Sequence, residues 1–439
     1  MGLISLKYRR PEYVDNESFR RSDTSLSENE KSDASLKSGQ SGSSYGIPDA
    51  LTFDKIISGG TCPPCTIRDF MNYLVYIEHA AENLQFFLWY RDYVKRFNEI
   101  DAFEAHLSPE WTQAMEDETA SKIKKDAADK MKRDPKAAAI FRGTDFEKGP
   151  ADVIIEIKDP FSTPPSTPSI RSTSSFFSGS QVSSYRTQAR DAFTAAGATQ
   201  PFTIQPFRAE INRVIATYII PNSPRQLNLS DREQKAAVQA LAHTTHPSAV
   251  RAVARGVEAT LRRQAHPNFI RWSICNGNPA RVFFAQGLGV GVVAAATAGA
   301  TVLALSGAPR GWRALFAAAW VVGIATLVAG TKGLCVVLHG LHHRHVRPWE
   351  LFEPASPEPE AGSFDSFGSA NSGYEDEPWA LRYARRGLVR KVFDREVWIQ
   401  EPALRQIQDV IFLQAILAAV LGAAVLTAVF VAVPVGGFF

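Results

Sequence analysis

The chain has 439 residues, 45% of them hydrophobic and 21% charged, with a formal net charge of +3. That length holds two or three domains. So small a net charge, with basic residues spread along the chain rather than gathered on one aromatic-lined stripe, argues against nucleic-acid binding. Neither a phosphate-binding glycine loop nor a paired nucleophile and base is visible, so no enzyme, cofactor or metal site is expected.

Residues 1–46 are rich in Ser, Asp, Glu, Lys and Gly and poor in large apolar side chains. Such a segment cannot bury enough surface to offset chain entropy, and a disordered arm is expected. Leu6 stands where an N-myristoylation signal wants Ser or Thr, and Lys7 brings charge too early for a cleavable leader. Cys62-Pro63-Pro64-Cys65 follows. Zinc needs a second such pair and a redox centre a preceding strand, so an extended lead-in fits better, opening a helix capped by Thr66 with Asp69 in its first turn.

In the stretch 76–93, Ile77, Ala81, Leu84, Phe87 and Leu88 mark the buried side of a helix. Glu78 and Glu82, four apart, then share an outer edge, which is either solvated charge or a docking surface. Residues 111–135 read as a charged helix, and Ser, Thr and Pro dominate 159–199. Thr163-Pro164 and Thr167-Pro168 are candidate phosphorylation sites. Helical spacing returns at Phe207, Ile211, Ile215 and Tyr218, then at Ala236, Val238 and Leu241 behind a Ser230–Glu233 capping box, and at Val250, Val253, Val257 and Leu261. The fold expected is all-α: a helical bundle in two halves, 47–110 and 205–275, split by an insertion at 111–204, with no strand beyond a short run at 153–155.

Three apolar runs, 282–305, 315–338 and 410–433, are each long enough at ~1.5 Å per residue to cross a hydrocarbon core of ~30 Å. Lys332 lies near the end of the second and is placed to extend toward the headgroups. Arg262, Arg263, Arg271 and Arg281 precede the first run, and Arg344, Arg347, Arg382, Arg385, Arg386 and Arg390 are among the basic residues of the loop 339–409. The loop between the first two runs has only Arg310 and Arg313. This imbalance places the N-terminal region and the second loop in the cytoplasm, and the C-terminus in the lumen or outside. Gly287, Gly291, Ala295 and Gly299 form a smooth ridge on which another helix can pack, either in this chain or in a partner membrane protein. His339, His342, His343 and His345 read as a basic collar at the interface rather than a metal cluster. The segment 379–398, basic and amphipathic with Leu388, Val392 and Val397, either lies along the leaflet or packs as an ordinary helix.

Phe70-Met71-Asn72-Tyr73-Leu74 and Glu78-His79-Ala80-Ala81-Glu82-Asn83-Leu84-Gln85-Phe86-Phe87-Leu88-Trp89-Tyr90-Arg91-Asp92-Tyr93 together resemble the first half of a regulator of G-protein signalling (RGS) domain. Residues 218–229 resemble its middle, and Leu261 through His266-Pro267-Asn268-Phe269-Ile270 its closing helices. An RGS-like domain followed by three spans further resembles fungal membrane proteins of the bud-site-selection type. The resemblance implies a surface that docks an activated Gα subunit, with Glu78, Glu82, Asn83, Asn228 and Leu261 at matching positions and Asn228 reaching toward the Gα switches. In such a domain catalysis stays with Gα, whose switches are held in the arrangement that phosphoryl transfer needs.

Ser230 stands where the family has an acid, Ala265-His266 where it has an acid followed by Ser, and Asn268 where it has a basic residue. Each lost charge-assisted contact would be worth ~1.5–3 kcal/mol. Two readings follow: a plasma-membrane RGS protein that accelerates GTP hydrolysis, or a polarity landmark whose RGS-like fold no longer accelerates it. The partners expected are Gα, membrane lipid and a membrane protein on the first span.

Overall fold

The computed structural model describes residues 47–133, 178–202, 204–223, 225–352 and 378–434. The N-terminal arm, the two Thr-Pro sites and the 153–155 run lie outside the described residues. Among the described residues the chain is helical almost throughout. The exceptions are two short antiparallel strands, His343–His345 and Glu396–Trp398, with His343 opposite Trp398 and His345 opposite Glu396. The chain divides into two compact units, one running to Leu84 and resuming at Val257, the other Gln85–Gly256. This differs from a single bundle of 47–110 and 205–275, since 47–84 and 257–275 group with the apolar helices.

In the Gln85–Gly256 unit the helix Ala81–Asn98 supplies Phe86, Trp89, Tyr93 and Phe97 to the core. Glu210 holds that helix to Arg208–Val214, accepting from Trp89 Nε1 at 2.7 Å and from both Arg96 Nη atoms at 2.8 and 2.6 Å. Two elements placed in the insertion by sequence belong to this unit. The charged helix forms over Gln113–Arg133 and packs against Asp231–His243, with Trp111 and Ile123 buried. A further helix, Ser178–Ala195, buries Ala189 and Phe193 where Ser/Thr-rich disorder is expected. Its apolar side chains recur four apart, the spacing of a packed helical face.

In the other unit Thr66 caps Ile67–Tyr73 as expected, accepting from Asp69 N at 3.1 Å while the Asp69 carboxylate accepts from Thr66 N at 3.0 Å. Phe53, Phe70, Tyr73 and Phe269 meet ring to ring in the core. The Cys-Pro-Pro-Cys turn is a structural joint. Cys62 N donates to the Glu401 carboxylate at 2.7 Å, and Gln400 N and Glu401 N donate to Pro63 O at 3.0 and 3.1 Å. Cys65 is buried, which pushes its thiol up and keeps it protonated and unreactive.

Three helices, Pro279–Leu305, Arg310–Thr331 and Pro402–Ala432, are long and apolar enough to cross a membrane. The second stops seven residues short of the expected 338. Gly333 takes a left-handed φ of 76°, which favours glycine just past a helix end, and Leu334, Cys335 and Leu338 are buried in protein beyond it. Gly289 and Gly323 bring the first two spans into backbone contact, for a Cβ on Gly289 would lie 2.9 Å from Gly323 O. The ridge is split. Gly299 faces the Phe316 ring, whereas Gly287 and Gly291 have open space at their Cβ positions and Ala295 is exposed, so these three face away from the hairpin. Trp320 is enclosed by Ala296, Ala300 and Ala423, stacks on Phe430 at 5.3 Å, and donates to Thr297 Oγ1 at 3.1 Å.

Arg313 is not a free loop charge. It is fully buried, and its guanidinium donates to Phe430 O at 2.8 Å, Val433 O at 2.6 Å and Ala304 O at 3.3 Å. The histidines after the second span diverge. His339 packs on Phe412 at 4.7 Å, while His345 Nε2 lies 3.2 Å from an Arg281 Nη.

Candidate docking surface

The stretch 76–93 is two elements. Leu74–Glu78 is a wide π-type turn, His79 closes it with a φ of 53°, and a new helix begins at Ala81. Ala80 N donates to Leu74 O at 2.9 Å across the break. Glu78 and Glu82 therefore do not share one helix edge, which corrects the four-residue spacing argument. Ile77, expected in the core, is 42% exposed, while Ala81, Leu84 and Phe87 are buried and Leu88 is half-buried.

Glu78 points inward. Its Oε2 is buried without a well-aligned hydrogen bond, and Asn268, Gln264 and Tyr73 are the polar side chains that attend it. Burial pushes its carboxyl above the usual range, opposed by hydrogen bonding from those three groups. A folded-state pKa raised above the unfolded value gives stability that is full at low pH and lost as pH rises through it. Glu78→Gln should therefore raise the melting temperature of the full chain at neutral pH. The gain should fade toward pH ~4, where the unfolded Glu is itself protonated. An unchanged or lower melting temperature at pH 7 would show that Glu78 is well solvated.

Glu82 and Asn83 sit in the first turn of Ala81–Asn98, where the helix dipole favours an acid. Asn83 Nδ2 donates to Glu82 Oε1 at 3.3 Å and to Ala80 O at 3.4 Å, and both side chains are half-buried. Burial raises the Glu82 carboxyl as well. Leu261 is 1% exposed and lies in the core of the turn Leu261–Ala265. Its expected contact with a partner is corrected to a packing role, because an enclosed side chain has no surface to offer.

Asn228 belongs to the Gln85–Gly256 unit, in the loop between Ile215–Ile219 and Asp231–His243. The loop is pinned on both sides. Leu227 is buried and its N donates to Tyr218 O at 2.9 Å; Ser230 forms the expected capping box, its Oγ accepting from Glu233 N at 3.3 Å. Asn228 between them is exposed and its side chain has no hydrogen bond among the described residues. Ser230 thus caps the helix without carrying charge.

A stack of planar groups beside Glu78 has no counterpart in the sequence reading. Tyr76 lies on Trp349 at 4.9 Å, Trp349 on Trp272 at 5.9 Å, and the Arg347 guanidinium sits 3.6 Å from the Trp272 ring centre. Glu350 fixes the base of this stack, accepting from both Arg344 Nη atoms at 2.9 Å each and from Arg347 N at 2.9 Å. The turn that carries Glu78 is thereby seated on the segment that follows the second span. Two tryptophans and an arginine separated widely in sequence give no local signal of such a stack. Comparison of this chain with known protein families, with curated proteins and with solved structures finds no match.

Proposed function

We propose that this chain is a membrane-anchored RGS-type protein that binds activated Gα at the cytoplasmic face of the plasma membrane and accelerates its GTP hydrolysis. The observation that carries the reading is Asn228, an exposed amide without a partner among the described residues, presented by a loop anchored through Leu227 and the Ser230 cap. An amide held this way donates and accepts without first giving up a bond, which suits a contact that holds the Gα switches for phosphoryl transfer. Glu82 and Asn83 are assigned auxiliary contacts.

Three apolar helices support the anchorage, and tethering raises the effective concentration of two partners on one surface. Burial of Arg313 leaves Arg310, at the start of the second span, as the one exposed basic residue at that end of the hairpin, whereas Arg382, Arg385, Arg390 and Arg395 are exposed after the second span. That contrast favours a cytoplasmic second loop and a lumenal or external C-terminus.

The landmark reading is favoured by a different observation: Glu78 is turned inward and Ser230 carries no charge, so fewer charged groups remain to grip Gα. Single-turnover GTP hydrolysis by Gα, with and without the full chain in nanodiscs, separates the two. Acceleration is expected, and Asn228→Ala should reduce it ~10- to 100-fold, the cost of one hydrogen bond to a charged group. No acceleration at any protein concentration would end the first reading and leave the landmark.

A further inference from the structure

We infer that the segment 380–398 is a collar that binds acidic phospholipid headgroups, an inference that rests on the membrane anchorage proposed above. Its depth is set by contact with the first span. Asn278 Nδ2, at the cap of Pro279–Leu305, donates to Lys391 O at 2.6 Å, and Phe393 meets Phe284 edge to face at 6.1 Å. The short helix Leu388–Val392 buries Val392 and leaves Leu388 75% exposed, with Phe393 after it 67% exposed. Phe283, on the span itself, is exposed at the same level. In water, so continuous an apolar patch would be a liability, whereas beside the first turns of a span it meets the acyl boundary.

The charges on this segment select the lipid. Its two acids are engaged internally, Asp394 by Arg386 at 2.8 Å and Glu396 by Arg281. Arg382, Arg385, Arg390 and Arg395 are exposed, and their guanidinium groups have no acidic or hydrogen-bonding partner among the described residues. An apolar face at acyl depth, ringed by guanidinium groups that no described residue neutralises, is complementary to a leaflet of acidic phospholipid, each arginine contributing ~5-fold to the partition. A soluble acidic protein would satisfy the guanidinium groups but leave Leu388 and Phe393 without an apolar partner at that depth.

The test uses the full chain with Cys62→Ser, which removes the exposed cysteine, in nanodiscs of phosphatidylcholine with and without ~30% phosphatidylserine. Spin labels at Leu388→Cys and, separately, at Leu288→Cys on the first span report depth through oxygen and nickel accessibility. Both labels are expected to be oxygen-rich with phosphatidylserine present. The quadruple variant Arg382→Gln, Arg385→Gln, Arg390→Gln, Arg395→Gln should co-purify several-fold less phosphatidylserine from mixed lipid, with the Leu288 label unmoved. A water-exposed Leu388 label beside a lipid-buried Leu288 label overturns the collar and leaves the span intact. A water-exposed Leu288 label overturns the anchorage itself. Equal phosphatidylserine from both proteins, or protection of Leu388 only on adding a soluble protein, overturns the lipid assignment.

Discussion

Arg313→Met is expected to destabilise the packing of the three spans by ~1–3 kcal/mol, the cost of leaving buried acceptors without their donor. The last carbonyls of a helix have no partner within it, and the C-terminal end of the helix dipole is negative. Arg313 answers both needs at once, closing the first span through Ala304 O and the third through Phe430 O and Val433 O. Methionine fills most of the volume but leaves all three carbonyls without their donor at a site where the guanidinium is fully enclosed. Arg313→Lys should recover only part of the loss, because a single ammonium cannot reproduce a planar fork that reaches two helix ends. Reversible unfolding of the full chain in nanodiscs or bicelles measures the difference. A loss under ~1 kcal/mol for Arg313→Met would mean that water replaces the guanidinium without penalty.

The apolar helices were legible in sequence because hydropathy over ~20 residues is a property of composition alone. Their limits were less so. Leu334, Cys335 and Leu338 read as a continuation of the second span, yet they are buried in protein after the turn at Gly333, and an apolar run does not distinguish lipid from a protein core. Both capping boxes were legible because each is settled within four residues. The break at His79 was not, for neither glycine nor proline marks it, and the nearby Tyr76 stacks on Trp349, a residue far along the chain. Likewise the helix Ser178–Ala195 hides its two buried side chains, Ala189 and Phe193, among Ser, Thr and Arg.

The candidate site divides on the same principle. Asn228 is placed by its immediate neighbours, Leu227 and Ser230, but no local pattern marks it as a contact residue; the resemblance alone singles it out. Glu78 is placed by Gln264 and Asn268, nearly two hundred residues away, and no local pattern tells an exposed acid from one turned against such partners. Asn268 Nδ2 is itself buried without a well-aligned hydrogen bond, close to the carboxylate it attends.

Acidification from pH 6.5 to pH 4 should cost the wild-type chain more stability than it costs His266→Gln. His266 is 4% exposed, its Nε2 lies 2.7 Å from Leu51 O, and its ring meets Phe53 edge to face. Burial lowers its pKa to about 4, partly offset by the bond to Leu51 O and reinforced by the nearby Arg262 charge. Asp54, which pulls the value up, is already forked by Arg262 at 2.8 and 2.6 Å. An unfolded His takes its proton near pH ~6.5, so above that value both states are neutral and the group is silent. Below it the unfolded chain binds a proton that the folded chain refuses, and stability falls by up to ~1.4 kcal/mol per pH unit until the folded group also titrates. The total loss approaches ~3 kcal/mol near pH 4. Glutamine can donate to Leu51 O but cannot take the proton, so carboxylates and other histidines contribute equally to both proteins and cancel in the comparison. Melting temperatures of the full chain and His266→Gln should diverge steadily below pH 6.5, the variant losing less. Parallel curves would mean that His266 protonates within the fold, and that the segment ending at Leu51 opens to admit the charge.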